Sequence, residues 1–452
     1  MENENKIKKR IHGINSHSMG LKIVLILILL LLFLIPLRVI RAVMEERQSR
    51  CAEVENEITY SIGGPVSLGG PILSVPREWE VPVRNDEGKI IRYDGRREII
   101  YILPDSLDIR AVANSMIKSR GIYSVPVFDL LLDGEGSITP GESLEGYNPE
   151  EICWDEASLQ FSYPYLKGMK TIRPLKWNDE EFDFQPGGNG YEASVYGGVM
   201  SVRLKLEPDL SKKYSFSFSQ EMRGGESIHF LPLAKETRVA VSSDWASPSF
   251  NGYYLPSQSK LNDNGFSADW EINYLSRGIP QSWTSSNSDI FRSISDTSFG
   301  VRFFPVVTAY NKTERTLKYG FLFLVLPFLT FFLFEVTRKH RIHPIQYLLA
   351  GVGDLMFYLL LLSLSEQMPF NGAYLIASAA VTLMLTFYAA SVLRAKKSAA
   401  AMIPVMGLSY GYLYFVLQSE DYALLMGSIG LFVIVSVVMY LTRKVEWYGK
   451  AE

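Results

Sequence analysis

The stretch Leu21–Val43, LKIVLILILLLLFLIPLRVIRAV, decides the class of this protein. It is long and apolar enough to cross about 30 Å of hydrocarbon, which takes a helix of about 20 residues. Four cations between positions 6 and 10 precede it, as in a signal peptide. A signal peptide, however, has a shorter apolar core and ends on small residues, whereas Arg38 and Arg41 lie at the end of this run. We therefore predict an uncleaved membrane anchor.

Five further apolar windows of similar length cluster at the other end of the chain, and they predict a helical membrane domain. Hydrophobic residues make up 47% of the chain and charged residues 21%, which fits a mixture of membrane and soluble parts. We predict a cytoplasmic tail at 1–20, the anchor at 21–43, a soluble domain at 44–316, a five-helix domain at 317–441 and a tail at 442–452. The five windows are Leu317–Val336, Ile345–Ser365, Ala373–Leu393, Ala399–Leu417 and Tyr422–Leu441.

The short connectors between the windows predict the orientation, because loops rich in Lys and Arg stay in the cytoplasm. Cations occupy positions 338–341, 394–397 and 443–444, whereas the alternate connectors 366–372 and 418–421 contain none. By this pattern both termini are cytoplasmic. The large soluble domain is then translocated to the other side of the membrane.

The soluble domain alternates short β-branched and aromatic runs with Gly, Pro, Asn and Asp, which is typical of antiparallel sheets. The predicted fold class is therefore an α+β membrane protein: six transmembrane helices carrying a large antiparallel all-β, sandwich-like domain. Residues 107–119 fit either a helix or a long strand. A polar segment at 176–189 suggests a division into two lobes, and charges at helical spacing predict that the anchor helix continues through residues 41–58.

The residues give no sign of a catalytic, cofactor or metal site. Of five histidines only His229 lies in the soluble domain, and no zinc spacing is present. A disulfide between Cys51 and Cys153 is permitted, and so are two free thiols. The motif Gly407–Gly411, GLSYG, matches a nucleophile elbow, but it lies inside an apolar window with no later histidine, so we interpret it as a helix-packing face. With 45 Lys and Arg against 48 Asp and Glu, nucleic acid is not an expected partner.

Four acids are candidate functional residues: Asp354, Glu366, Glu420 and Asp421. Asp354 lies midway along an apolar window, where a carboxylate costs at least about 2.5 kcal/mol, so it is either functional or hydrogen-bonded inside the bundle. The other three lie in outer connectors. They could pair with cations where the soluble domain re-enters the membrane, namely Arg302, Arg315 and Lys318, or all could be solvated near the headgroups.

Several segments together resemble the CreD family of bacterial inner-membrane proteins. The resemblance implies a role in maintaining the cell envelope and implies no catalytic residues. Asp354 stands where that family is expected to have an apolar residue, so it is not expected to serve a shared mechanism. The matching segments are 46–47 (ER), 70–76 (GPILSVP), 248–256 (PSFNGYYLP), 265–270 (GFSADW), 280–283 (PQSW), 343–349 (HPIQYLL), 358–366, 420–428 (EDYALLMGS) and 442–448 (TRKVEWY).

The leading functional hypothesis is therefore a non-enzymatic envelope protein whose partners are the lipid bilayer and a periplasmic or envelope protein. A transporter or a handler of lipid or cell-wall precursors is the alternative, since five clustered windows with Asp354 and Glu366 could enclose a polar path. A cell-wall sugar hydrolase would need two carboxylates about 5–10 Å apart in a cleft, which sequence spacing does not reveal.

Overall fold

The computed structural model of the protein describes two compact units. One consists of Met1–Cys51 and Val307–Glu452 and is called the helical unit here; the other, Ala52–Val306, is called the β unit. The residues described are 24–121, 123–188, 197–287, 289–303, 309–338, 342–393, 400–418 and 423–443.

The first helix, α1 (Val24–Ile62), is 39 residues long. At 1.5 Å per residue it measures roughly 58 Å, about twice the thickness of a hydrocarbon layer. The predicted continuation of the anchor beyond its apolar run is confirmed. The helix ends where the amides of Gly63 and Gly64 both donate to the carbonyl of Thr59. Gly64 has φ +73°, a left-handed conformation that favours glycine at helix ends.

The β unit contains eighteen strands and three short α-helices within its described residues. The segment 107–119, which the sequence left open, lies in the long strand β3. The strands are β1 (Val66–Arg84), β2 (Ile90–Ile102), β3 (Ser106–Arg120), β4 (Tyr123–Ile138), β5 (Ala157–Tyr163), β6 (Met169–Ile172), β7 (Leu175–Trp177), β8 (Glu180–Phe182), β9 (Gln185–Pro186), β10 (Gly198–Leu204), β11 (Tyr214–Gly225), β12 (Ser227–Phe230), β13 (Glu236–Ser243), β14 (Pro248–Gly252), β15 (Gln258–Asn262), β16 (Gly265–Asn273), β17 (Ser282–Thr284) and β18 (Phe299–Phe303). The helices are α2 (Gly141–Leu144), α3 (Tyr274–Arg277) and α4 (Asp289–Asp296), and 3₁₀ turns occur at Pro149–Glu151 and Leu166–Gly168.

These strands form two nine-stranded sheets. Sheet I has the order β14-β18-β12-β1-β5-β10-β9, with β2 beside β1 and β17 beside β2. Sheet II has the order β15-β16-β13-β3-β4-β11-β7-β8, with β6 beside β11. The prediction of purely antiparallel sheets is wrong for two pairs, because β1 runs parallel to β12 and β3 runs parallel to β13. Each parallel pair joins strands far apart in sequence, as a crossover connection requires.

The two sheets pack face to face around one main hydrophobic core. The ring of Phe161 in sheet I lies 4.9 Å from that of Phe218 in sheet II, and Phe303 in sheet I lies 4.8 Å from Phe128 in sheet II. The segment 176–189, where the sequence suggested a division, supplies β8, β9 and part of β7 at the ends of the two sheets. The predicted sandwich-like packing is thus present.

A smaller core covers the opposite face of sheet I. Here α4 places Phe291 and Ile294 against Tyr101 of β2 and Trp283 of β17. The ring of Tyr101 lies 5.2 Å from Phe291 and 5.5 Å from Trp283. Sheet I is therefore buried on both faces around β2 and β17. Every residue of β5 in the same sheet is also buried.

The helical unit is built from α1 and the helices that follow the β unit. Among the described residues, three helices are long and apolar enough to cross a membrane: α1, Pro344–Ser365 and Phe370–Val392. Two shorter apolar segments are Phe323–Glu335 and Leu425–Val437. The helices after the β unit are α5 (Ala309–Lys318), α6 (Gly320–Arg338), α7 (Pro344–Ser365), α8 (Phe370–Leu393), α9 (Met402–Gln418) and α10 (Ala423–Thr442).

The anchor helix packs into the core of the helical unit. Phe33 of α1 lies edge-on to Phe328 of α6, with 5.7 Å between ring centroids. A side chain at Gly351 of α7 would meet both rings, because a Cβ there would lie 2.6 Å from Phe33 and 2.8 Å from Phe328. Glycine at this position lets three helices meet closely.

Candidate functional site

Asp354 lies on α7, and its side chain points into the helical unit with 2% of its surface exposed. Its Oδ1 accepts a hydrogen bond from the hydroxyl of Tyr410 on α9, at 3.0 Å. Its Oδ2 is buried and has no hydrogen-bond partner among the described residues. The structure thus places the carboxyl inside the bundle against a tyrosine, which is one of the two situations that the sequence left open for it.

Two further tyrosine hydroxyls join the helices next to Asp354 and Tyr410. Tyr374 of α8 donates to the carbonyl of Tyr410 at 2.7 Å, and Tyr358, one turn beyond Asp354, donates to the carbonyl of Gly320 at 3.3 Å. Between them the ring of Phe357 packs 4.5 Å from that of Tyr410. The cluster therefore links α6, α7, α8 and α9.

A second buried carboxyl in this unit was missed by the sequence analysis. Glu335, at the end of an apolar window, is only 8% exposed. It accepts hydrogen bonds from the hydroxyl of Tyr347 at 2.9 Å and from the amide of Ile342 at 3.3 Å. It lies one residue before the end of the window Leu317–Val336, where a carboxyl does not stand out as intramembrane. Ile342 and Tyr347, which lie beyond the window in the chain, supply the two contacts of this carboxyl.

Glu366 forms the C-cap of α7 and lies 3.9 Å from Arg47 of α1. Of the three cations proposed as partners of the outer acids, Lys318 pairs with Glu314 at 2.8 Å, and Arg302, in the β unit, pairs with Glu226 at 2.5 Å. Glu420 and Asp421 lie outside the described residues. Of the four predicted acids the structure describes two, Asp354 and Glu366, and these two lie at separate places in the helical unit.

The GLSYG motif lies within α9. The hydroxyl of Ser409 donates to the carbonyl of Val405 one turn back, at 2.6 Å, as is common for serine inside a helix. The interpretation of Gly407 and Gly411 as a close-packing face is wrong within the described part of the chain, because a Cβ at either position would meet nothing within 4 Å.

In the β unit, one buried arginine organises three chain segments. Arg277 is 2% exposed and donates to the carbonyls of Leu233 at 2.5 Å and Ile279 at 3.3 Å, and to Oε1 of Gln281 at 2.5 Å. Burial lowers the pKa of Arg277 to about 10, so it stays charged at neutral pH. Gln281 in turn donates to the carbonyls of Leu103 and Pro104 at 2.6 and 3.0 Å. The PQSW segment therefore has a structural role here.

Comparisons with known proteins agree with the resemblance found in the sequence. A sequence profile described as "Inner membrane protein CreD" matches residues 18–448. The chain is 29% identical over 421 residues to "Inner membrane protein CreD" of Escherichia coli (strain K12), covering 92% of this chain and 91% of that protein. Among solved structures, an M1 zinc metallopeptidase from Deinococcus radiodurans covers 38% of each chain at 8% identity with a TM-score of 0.19. A score this low carries no inference about fold or function.

Proposed function

Because the chain belongs to the CreD family of inner-membrane proteins, we propose that it supports the integrity of the bacterial cell envelope without catalysing a reaction. In this proposal the β unit lies in the periplasm and acts by contacting a periplasmic or envelope partner. The helical unit holds it at the membrane with six transmembrane helices and with both termini in the cytoplasm.

The observation that carries the proposal is the construction of the β unit. The two sheets close around one main core. In the chain, the strands of this unit lie between α1 and α5, so a helix precedes them and a helix follows them. Its three most buried tryptophans, Trp177, Trp270 and Trp283, are at most 6% exposed. These three tryptophans fill the core, so the unit is closed around its own interior, which supports a role for its outer surface in contacting a partner.

A second candidate function, transport or precursor handling by the helical unit, is favoured by one specific observation. The Oδ2 of Asp354 is buried with no partner among the described residues. Intramembrane carboxyls of this kind are common in proton and ligand pathways. The Tyr410 hydroxyl and the tight aromatic packing around it fit a structural role equally well, so this function takes second place.

Photo-crosslinking in living cells tests the first proposal. A photoreactive amino acid is placed at Tyr253 or Leu275, which are 68% and 88% exposed on the β unit, and at Leu408, which is 76% exposed on α9. We expect discrete protein adducts from the β unit positions, and a different pattern from Leu408. Detergent resistance of the cells shows that the tagged protein is still functional. If no protein adduct forms from the β unit in such cells, the interaction role is contradicted.

The variant Asp354→Asn separates the two candidates. It keeps the size of the side chain and an acceptor for Tyr410 but removes the titratable carboxyl. If the β unit carries the function, a strain that depends on this protein keeps its detergent resistance with the variant at normal membrane levels. Loss of resistance with unchanged crosslinks would favour the helical unit instead.

A further inference from the structure

The outer face of sheet II carries a polar groove of about 510 Å³, and a second hollow of about 560 Å³ adjoins it. The two share Asp108 and Arg110 of β3 and Glu135 of β4. Volumes of this size are typical of small-molecule sites. Because the shared residues belong to β3 and β4, which run side by side in the middle of sheet II, the groove lies across the middle of that sheet.

Glycines in β4 shape the floor of this groove. The segment Asp133-Gly134-Glu135-Gly136 puts its acids on the outer face and its glycines on the inner face. Phe218 and Phe216 of β11 fill the space inside, because a Cβ at Gly134 would lie 2.2 Å from the ring of Phe218. Glycines opposed by cross-strand aromatic rings are a recurrent means of bending a sheet. The concave outer face is thus built into the sequence.

The strand register arranges the charges of the groove in rows. One row places Asp108 directly opposite Glu135, and the next places Arg110 opposite Asp133. Directly opposed residues have Cβ atoms about 4.5–5.5 Å apart, so the two carboxylates of the first row repel each other. Arg238 lies 3.8 Å from Asp108 and compensates one of them.

Several charges of the groove have no partner of their own. Within the part of the chain that the structure describes, Arg110, Asp133, Glu135 and Arg173 form no ion pair, although all four line the groove. Arg110, Asp133 and Glu135 are exposed to solvent. The groove thus offers the unpaired carboxylate of Glu135 in one row. The next row, two residues along β3, offers the guanidinium of Arg110 opposite the carboxylate of Asp133.

The distance between the charges of the two rows indicates the class of ligand that fits the groove. Positions two residues apart on a strand lie about 7 Å apart, and two residues of an extended peptide also span about 7 Å. We propose that the groove binds short zwitterionic peptides, with Arg110 on the carboxylate and Glu135 beside Asp108 on the ammonium group. Arg173 lies in the same row as Arg110 and Asp133 and adds a second cation at the carboxylate end of the site. The inference rests on the proposed function, since it names the ligand class of the β unit.

Titration calorimetry with the full chain in detergent tests this site. The probe is the dipeptide Ala-Ala, with acetyl-Ala-Ala and Ala-Ala amide as blocked versions. We expect binding of the free dipeptide and about tenfold weaker binding of each blocked one, because each loses one charge-assisted hydrogen bond. Equal binding of all three, or none by the folded protein, would overturn the proposal.

Variants assign the two ends. Arg110→Gln should weaken binding of Ala-Ala about tenfold and leave binding of the amide unchanged, whereas Glu135→Gln should leave binding of the acetylated peptide unchanged. Lys205→Gln, an exposed change elsewhere in the β unit, is the control. Unchanged binding in both groove variants, with unfolding temperatures equal to wild type, would overturn the assignment. Crosslinks from Tyr253 or Leu275 without dipeptide binding would refute the groove while leaving the proposed function intact.

Discussion

Replacement of Gln281 by alanine is the sharpest test of how the β unit is held together. The amide of Gln281 accepts from the buried Arg277 at 2.5 Å and donates to the carbonyls of Leu103 and Pro104. Hydrogen bonds to a charged group contribute about 1.5–3 kcal/mol and neutral ones about 0.5–1.5 kcal/mol. Losing all three removes at least about 2.5 kcal/mol, and a buried guanidinium is left short of an acceptor. We therefore expect the free energy of unfolding to fall by about 3 kcal/mol.

The assay is urea unfolding of the full chain in detergent, followed by tryptophan fluorescence. Six of the seven tryptophans lie between positions 79 and 283, so the signal reports the β unit. Gln258→Ala, an exposed change on β15, is the matched control and should cost less than about 0.5 kcal/mol. A loss below about 1 kcal/mol for Gln281→Ala, or one equal to the control, would refute the reasoning.

Three further outcomes follow from single contacts. Tyr410→Phe removes the hydrogen bond to Asp354 and should lower the stability of the helical unit by about 1 kcal/mol in detergent-denaturation experiments, while Tyr388→Phe should not. Gly134→Ala should destabilise the β unit by about 1–3 kcal/mol, because the new Cβ would collide with the ring of Phe218. Gly146→Ala is the control, because a Cβ there would meet no atom within 4 Å. Equal unfolding temperatures of the two variants would contradict the predicted collision. The hydrogen bonds from Arg223, reinforced by Lys170, lower the pKa of Asp129 to about 2, so its stabilisation is complete above pH 4 and is lost as the pH falls towards 2. Since the side chain of Asp129 is 32% exposed, we expect this contribution to the free energy of unfolding to be only about 1 kcal/mol, and to be absent in Asp129→Asn. If the variant loses stability between pH 4 and pH 2 as the wild type does, the prediction is contradicted.

Hydropathy and alternation predict the larger features of this fold because both are local properties of the chain. The anchor helix, its charged continuation and the β-rich domain follow directly from residue spacing. The parallel pairing of β1 with β12 does not, since it joins residues 66–68 to 228–230 and depends on the whole sandwich. Long-range pairing of this kind leaves no signal in either strand alone.

The candidate sites show the same limit. Asp354 can be predicted to be buried because it lies in the middle of an apolar window, too far from the ends of the helix for its carboxyl to reach water. Glu335 is also buried, but its position at the end of an apolar window gives no sequence signal of that burial. The groove on sheet II was not predicted, although Asp133-Gly134-Glu135-Gly136 carries the signal: acids alternating with glycines in a strand. Which charges meet there depends on the register between β3 and β4, which the sequence does not reveal.

The side of the membrane on which the β unit lies is the central claim, and single-cysteine labelling measures it directly. In a chain with Cys51 and Cys153 replaced by alanine, one cysteine is placed at Ser259 on β15 or at Arg443 after α10, both exposed. A thiol reagent that cannot cross the inner membrane is applied to cells with a permeabilised outer membrane. We expect Ser259→Cys to react in intact cells and Arg443→Cys to react only after lysis. Reaction at position 443 with protection at position 259 would contradict the claim.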